Sequence, residues 1–258
     1  MKISGIHKLS LIDYPGKLAC VVFTEGCNFR CGFCHNPELV FVDERINGSF
    51  SSFEGGADFF EFLESRRGFL EGVCITGGEP LLQKDLEEFI SKIKEKGFLV
   101  KLDTNGYLAD RLEKVIKKDL VDYVAMDIKM SMDDKTNADI CFPFCQCKME
   151  NYKNKYSYVA GVEIDIEKIK KSIKLIMESD IDYEFRTTVV FDLHKKNDIL
   201  DIARYIRGAK KYVLQKFEIR DKILDDKFLN AKSIKMSEAE EWKKKCEEFA
   251  VKCELRGW

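Results

Sequence analysis

Residues 26 to 37 read GCNFRCGFCHNP, so Cys27, Cys31 and Cys34 place three thiols within eight residues. Thiolates are soft ligands suited to zinc, copper(I) and iron-sulfur clusters. A structural zinc site or an ordinary electron-transfer cluster takes four protein ligands, so three leave one position for something else. An open coordination position on a metal is where substrate chemistry takes place. The competing readings are packed thiols, because cysteine is among the most buried residue types, and a structural zinc site.

A loop of this kind needs a scaffold, and the chain supplies one. Apolar, β-branched runs alternate with amphipathic segments, the pattern of βα units around a parallel sheet. LACVVFTE (18–25) is a near-continuous apolar run, as expected of a strand covered on both faces, and the cysteines follow it directly. A strand and its loop are expected at 72–80, and further strands at 98–106, 122–130, 182–191 and 210–219. Helices are expected at 53–67, 85–97, 110–118, 165–179 and 197–207, Gly97 closing the second. Six such units are too few for a closed eight-stranded barrel, so the fold class is α/β, a partial barrel or open wound sheet. In either, ligands gather where the carboxyl ends of the strands meet the loops. Gly77, Gly78 and Glu79 follow the second strand, Asp103, Thr104 and Asn105 the third, Asp127 and Lys129 the fourth, and Arg186 lies in the fifth.

With these positions assembled, the chain resembles the radical S-adenosylmethionine (SAM) superfamily. Its signature is a C-x3-C-x2-C loop after the first strand of a partial (β/α)6 TIM-like barrel. The resemblance implies a 4Fe-4S cluster on Cys27, Cys31 and Cys34, with SAM at the fourth iron. It implies that Phe33 lies against the adenine, and that TGGEP (76–80) receives the cofactor's amino group through backbone groups and Glu79. Within the superfamily the chain is similar to glycyl radical enzyme activating enzymes, above all to anaerobic ribonucleotide reductase activating proteins. The segments 10–39, 75–83, 102–106, 126–129 and 185–190 carry this likeness. The related pyruvate formate-lyase activating enzyme implies that Asp103, Thr104, Asp127, Lys129 and Arg186 surround the cofactor. Lys129 and Arg186 suit the methionine carboxylate, and Asp103 suits ribose hydroxyls. The same relative implies a monovalent cation at Asp103 and Asp127.

The implied activity is reductive cleavage of SAM and abstraction of a hydrogen atom from a glycine of a partner, anaerobic ribonucleotide reductase. No protein acid or base is required, and the electron would come from a low-potential donor such as flavodoxin or ferredoxin. The alternatives are a radical SAM enzyme for another peptide or nucleoside substrate, and a non-catalytic iron-sulfur electron carrier; the latter has no use for a cofactor-binding rim.

Residues 131–160 interrupt the alternation as an insertion, and Cys141, Cys145 and Cys147 within it are a candidate second metal or cluster site. The barrel is expected over 1–230, and 231–258 as a C-terminal helical extension capped by Ser237, with Cys246 and Cys253 on one helical face. Cys20 and Cys74 read as core, and His7, His35 and His194 as single histidines without evident ligand partners. Against 45 acidic residues stand 43 basic ones, which gives nucleic acid and membrane surfaces no attractive field. No stretch approaches eighteen uncharged apolar residues, and ten cysteines without a secretion signal suit a reducing, cytoplasmic setting.

Overall fold

A computed structural model describes residues 1–41, 57–133, 152–191, 193–218, 222–249 and 252–258. The described elements run β1 (Ile3–Ser10), β2 (Ala19–Thr24), α1 (Ala57–Ser65), β3 (Gly72–Gly77), α2 (Leu86–Glu95), β4 (Leu99–Thr104), α3 (Ala109–Lys117) and β5 (Tyr123–Asp127). They continue with α4 (Lys155–Ala160), α5 (Ile166–Met177), β6 (Asp182–Val189), α6 (Lys196–Tyr205), β7 (Tyr212–Lys216), α7 (Met236–Glu247) and β8 (Cys253–Arg256). The strands follow one another in chain order across one eight-stranded sheet, with β1 and β8 at its ends. This is the α/β order of the expected partial barrel, whose six strands are β2 to β7. The candidate second site at Cys141, Cys145 and Cys147 lies outside the described residues.

The chain divides into two compact units. The first comprises Met1–Asn28, Glu38–Ala125 and Glu178–Asp182; the second comprises Phe29–Pro37, Met126–Met177 and Tyr183–Trp258. In the first, β1 is antiparallel to β2, while β2 and β3 pair in parallel from Ala19↔Gly72 to Thr24↔Gly77. Val21, Val22, Val73, Cys74, Ile75, Val100 and Leu102 are fully or almost fully buried, as strands covered on both faces require. The register makes β2 and β3 end level, so the loops carrying Cys27 and Glu79 leave the sheet side by side. In α2 the buried residues Leu86, Phe89, Ile90 and Ile93 recur at helical spacing, and Gly97, at φ 84°, takes the left-handed position just beyond the end.

In the second unit β6, β7 and β8 are parallel, with Phe185 opposite Tyr212 and Tyr212 opposite Cys253. Two expectations are corrected here. The helix expected over 237–258 stops at Glu247, and Cys253–Arg256 forms a strand instead. Its N-cap is Lys235, not Ser237. Cys246 and Cys253 are both buried, as packing thiols should be, but on a helix and a strand rather than on one helical face. The insertion also ends in regular structure. Helix α4 is capped by the Asn154 side chain, which accepts from Ser157 N at 2.7 Å, and it closes on Gly161 at φ 70°.

Candidate functional site

In the first unit the residues after β2, β3 and β4 are fastened to one another by main-chain bonds and one carboxylate. Gly26 N donates to Leu39 O at 2.8 Å and Cys27 N to Val40 O at 3.2 Å. Gly78 N donates to Thr24 O at 2.9 Å, and Glu79 N to Gly26 O at 2.7 Å. Both glycines are demanded by this approach. A Cβ on Gly77, already at φ 120°, would stand 2.3 Å from Thr24 N, and one on Gly78 would stand 2.0 Å from Gly26 O. The Gly-Gly pair therefore presses the third strand's loop against the residue that precedes Cys27.

Glu79 is 1% exposed. Its Oε1 accepts from Leu81 N at 3.1 Å and Thr104 Oγ1 at 2.8 Å, and its Oε2 from Asn105 N at 2.8 Å. A carboxylate can be buried only with such donors, so Glu79 joins the loop after β3 to the loop after β4. Asn105 is held in turn: Tyr107 N donates to its Oδ1 at 3.0 Å, and its Nδ2 donates to Asn28 Oδ1 at 2.8 Å and lies 4.0 Å from Cys27 Sγ. Asp103 forms an ion pair with Lys101, which is 2% exposed and also lies 3.6 Å from Cys74 Sγ. Sequence reasoning passed over Lys101. Its signal was there, a lysine inside an apolar strand two residues before an aspartate, hence on the same face.

The second unit holds the other two cysteines. Cys34 N donates to Cys31 O at 3.0 Å, and Arg30 N to Ala160 O at 2.7 Å. Gly161, at the end of α4, comes so close that a Cβ there would stand 2.2 Å from Arg30 O. A buried pair, Lys155 Nζ to Asp198 Oδ1 at 2.7 Å, ties α4 to α6. Phe33 is 5% exposed and meets Phe217 and Phe228 edge-on, with ring centroids 6.3 and 6.0 Å away. Cys27, Cys31 and Cys34 are in no disulfide. Among the described residues no three His, Cys, Asp or Glu side chains converge as a single metal ion requires. A cubane spreads its ligands over separate irons and does not need that convergence.

Asp127, Lys129 and Arg186 form one network, as the two-residue spacing of the first pair suggested. Asp127 Oδ2 accepts from Lys129 Nζ at 2.9 Å and Oδ1 from Arg186 Nε at 2.8 Å. Burial alone would raise the Asp127 pKa, but the two cations overcome it and hold the carboxyl far below its ordinary value. Burial likewise opposes the Lys129 charge, and Asp127 and Cys31 more than restore it. Two cations against one carboxylate leave the triad with one positive charge. Asp127→Ala should therefore cost about 3 kcal/mol in urea unfolding, because it leaves two partly buried cations facing each other. Lys129→Ala leaves the Asp127–Arg186 pair and should cost clearly less; equal losses would contradict the network.

His194 has a place that its sequence did not reveal. It is 1% exposed, its Nε2 donates to Lys129 O at 2.8 Å, and its Nδ1 accepts from Val190 N at 3.1 Å. Burial depresses its pKa, so the fold prefers the neutral ring. That preference contributes fully above the unfolded value of about 6.5 and is lost as pH falls below it. Stability should fall between pH 7 and pH 5.5, and His194→Gln, which keeps an N–H donor, should flatten much of that slope in urea midpoints. An unchanged slope would assign the pH dependence elsewhere.

The profile of the radical SAM superfamily matches residues 21–206. A protein of Methanocaldococcus jannaschii, provisionally named as a glycyl-radical enzyme activating enzyme, is 38% identical over 220 residues, 85% of this chain and 81% of that one. The pyruvate formate-lyase-activating enzyme of Listeria monocytogenes is 31% identical over 153 residues, 54% of this chain and 60% of its own length. Among solved structures, a domain of pyruvate-formate lyase-activating enzyme from Bacteroides vulgatus superposes with a TM-score of 0.53 at 17% identity, over 72% of this chain and 99% of that domain. No helix among the described residues is long and apolar enough to cross a membrane.

Proposed function

The chain belongs to the radical SAM superfamily, to its glycyl-radical enzyme activating enzymes, and we propose that it activates anaerobic ribonucleotide reductase through a cluster on Cys27, Cys31 and Cys34. The residues present fit such a cluster. The three thiols are in no disulfide, and in the residue after Cys27 the Asn28 Nδ2 is buried with no partner among the described residues. A buried amide needs an acceptor, and cluster sulfur is one. When bound, the cluster and SAM would supply one-electron chemistry able to abstract a hydrogen atom from the target glycine.

The chain's own residues bind and orient. The Asp127–Lys129–Arg186 network carries the reading: its surplus positive charge suits the cofactor's methionine carboxylate, with the Arg186 guanidinium adding directional donors. Asp103 would accept from the ribose hydroxyls. Glu79, Gly77 and Gly78 set the backbone that receives the amino group, and Thr104 acts through Glu79. Phe33 would offer the adenine a ring already steadied by Phe217 and Phe228. A monovalent cation at Asp103 or Asp127 would share carboxylates that Lys101, Lys129 and Arg186 already neutralise, so orientation of the cofactor does not depend on it. A flavodoxin or ferredoxin would supply the electron.

Protein reconstituted with iron and sulfide under anaerobic conditions, then reduced with dithionite, should convert SAM to 5′-deoxyadenosine and methionine. Incubated with the reductase, it should give that partner a glycine-centred spin signal. Cleavage without that signal would move the substrate assignment to another peptide or nucleoside, and no cleavage with a full cluster would remove the enzyme reading.

A further inference from the structure

The amides of Asn28 and Asn105 form a chain whose direction is fixed at one end. Tyr107 N donates to Asn105 Oδ1 at 3.0 Å, so the other end of that amide must be its NH2 group. That group donates to Asn28 Oδ1 at 2.8 Å and lies 4.0 Å from Cys27 Sγ. Asn28 is thereby turned so that its own NH2 group has no acceptor among the described residues, although the nitrogen is buried. Asn105 is held on its main-chain side by Glu79 at 2.8 Å, and it is only 7% exposed. Polar groups this buried are satisfied in working proteins, and these two flank one thiol of the three-cysteine loop.

We propose that Asn28 and Asn105 are positioning residues that donate N–H···S hydrogen bonds to the cluster at Cys27, and so set how easily it is reduced. This rests on the cluster reading given above. Reduction adds negative charge to the cluster, and an N–H dipole aimed at its sulfur stabilises the reduced form more than the oxidised one, raising the potential. Asn105 acts twice, as a weak donor to Cys27 and as the group that orients Asn28.

The test is a spin-resonance redox titration of the reconstituted protein. Asn28→Leu removes both amide donors and should shift the reduction equilibrium about tenfold toward the oxidised cluster, about 59 mV downward for a one-electron couple. Asn28→Ser, which restores one hydroxyl donor, should recover part of that shift, a recovery that a merely structural role would not give. Wild-type protein labelled with 15N only at asparagine side chains should show 15N coupling to the reduced cluster in pulsed spin resonance, reduced in Asn28→Leu to the weaker contribution of Asn105. This measurement decides the matter even where a variant fails to take up iron. A shift under twofold with full iron, or absence of the 15N coupling in the wild type, overturns the proposal. If the wild type cleaves SAM while the potential ignores Asn28, this proposal alone falls; a wild type without a cluster removes the functional reading as well.

Discussion

Cys31→Ala should give a folded protein that takes up no cluster and produces no 5′-deoxyadenosine. The thiol is 8% exposed, and its contact with Ala160 O, at 3.9 Å, is too long and too weak to matter to the fold. What holds this stretch is main chain: Arg30 N on Ala160 O at 2.7 Å, Cys34 N on Cys31 O at 3.0 Å, and the close approach of Gly161 to Arg30. Deleting one sulfur removes a ligand and leaves the scaffold, at about 1 kcal/mol, the ordinary cost of a small buried truncation. Two ligands cannot retain a cubane against loss of iron to solvent. Iron counting, unfolding by urea and product chromatography on one preparation separate the possibilities. Full iron with normal turnover would mean that the ligands lie elsewhere, and an unfolded variant would mean that the loop depends on its thiols for shape.

Gly78→Ala should do the reverse, keeping every ligand and losing the site through the backbone. The added carbon would stand 2.0 Å from Gly26 O and 3.0 Å from Leu39 O, and neither is the end of a flexible side chain. Relief requires the loop after β3 to withdraw, which breaks Gly78 N to Thr24 O and Glu79 N to Gly26 O together. The cost should reach about 3 kcal/mol, the upper part of the range for overpacking. Because Gly26 directly precedes Cys27, cluster loading should fall steeply even where the fold survives. Gly5→Ala is the control: nothing lies within 4 Å of a Cβ there, and its effect should stay within about 0.5 kcal/mol. Similar losses in the two variants would refute the close-approach account.

The central strands and the rim were legible because their signals are local. Apolar runs marked β2 to β7, and positions at or just beyond their carboxyl ends marked Cys27, Glu79, Asp103 and Asp127. The edges were less legible. ISGIHKLS mixes glycine, histidine and lysine, and β1 is an irregular antiparallel strand with register shifts, so neither period is clean. The end of the chain misled because EEWKKKCEEF is helical in character; the alternation Val251, Cys253, Leu255 that follows is the strand signal, cut to four residues. His194 and the Asn28–Asn105 pair could not be ranked beforehand. Their significance lies in which partner they meet, and that partner stands 65 or 77 positions away. The spacing of Cys27, Cys31 and Cys34 would equally suit one face of a helix, and only the observed loop removes that reading.

The three-cysteine loop owes its shape to other parts of the chain. Gly26 is held by Leu39 and Glu79, Arg30 by Ala160 and Gly161, and Gly32 by Asp225 and the Phe228 ring. The nonapeptide from Gly26 to Cys34 therefore encodes donor atoms but little geometry. Grafted alone into a foreign host it should chelate iron promiscuously, while its distant clamps, carried along, make it a transplantable organ.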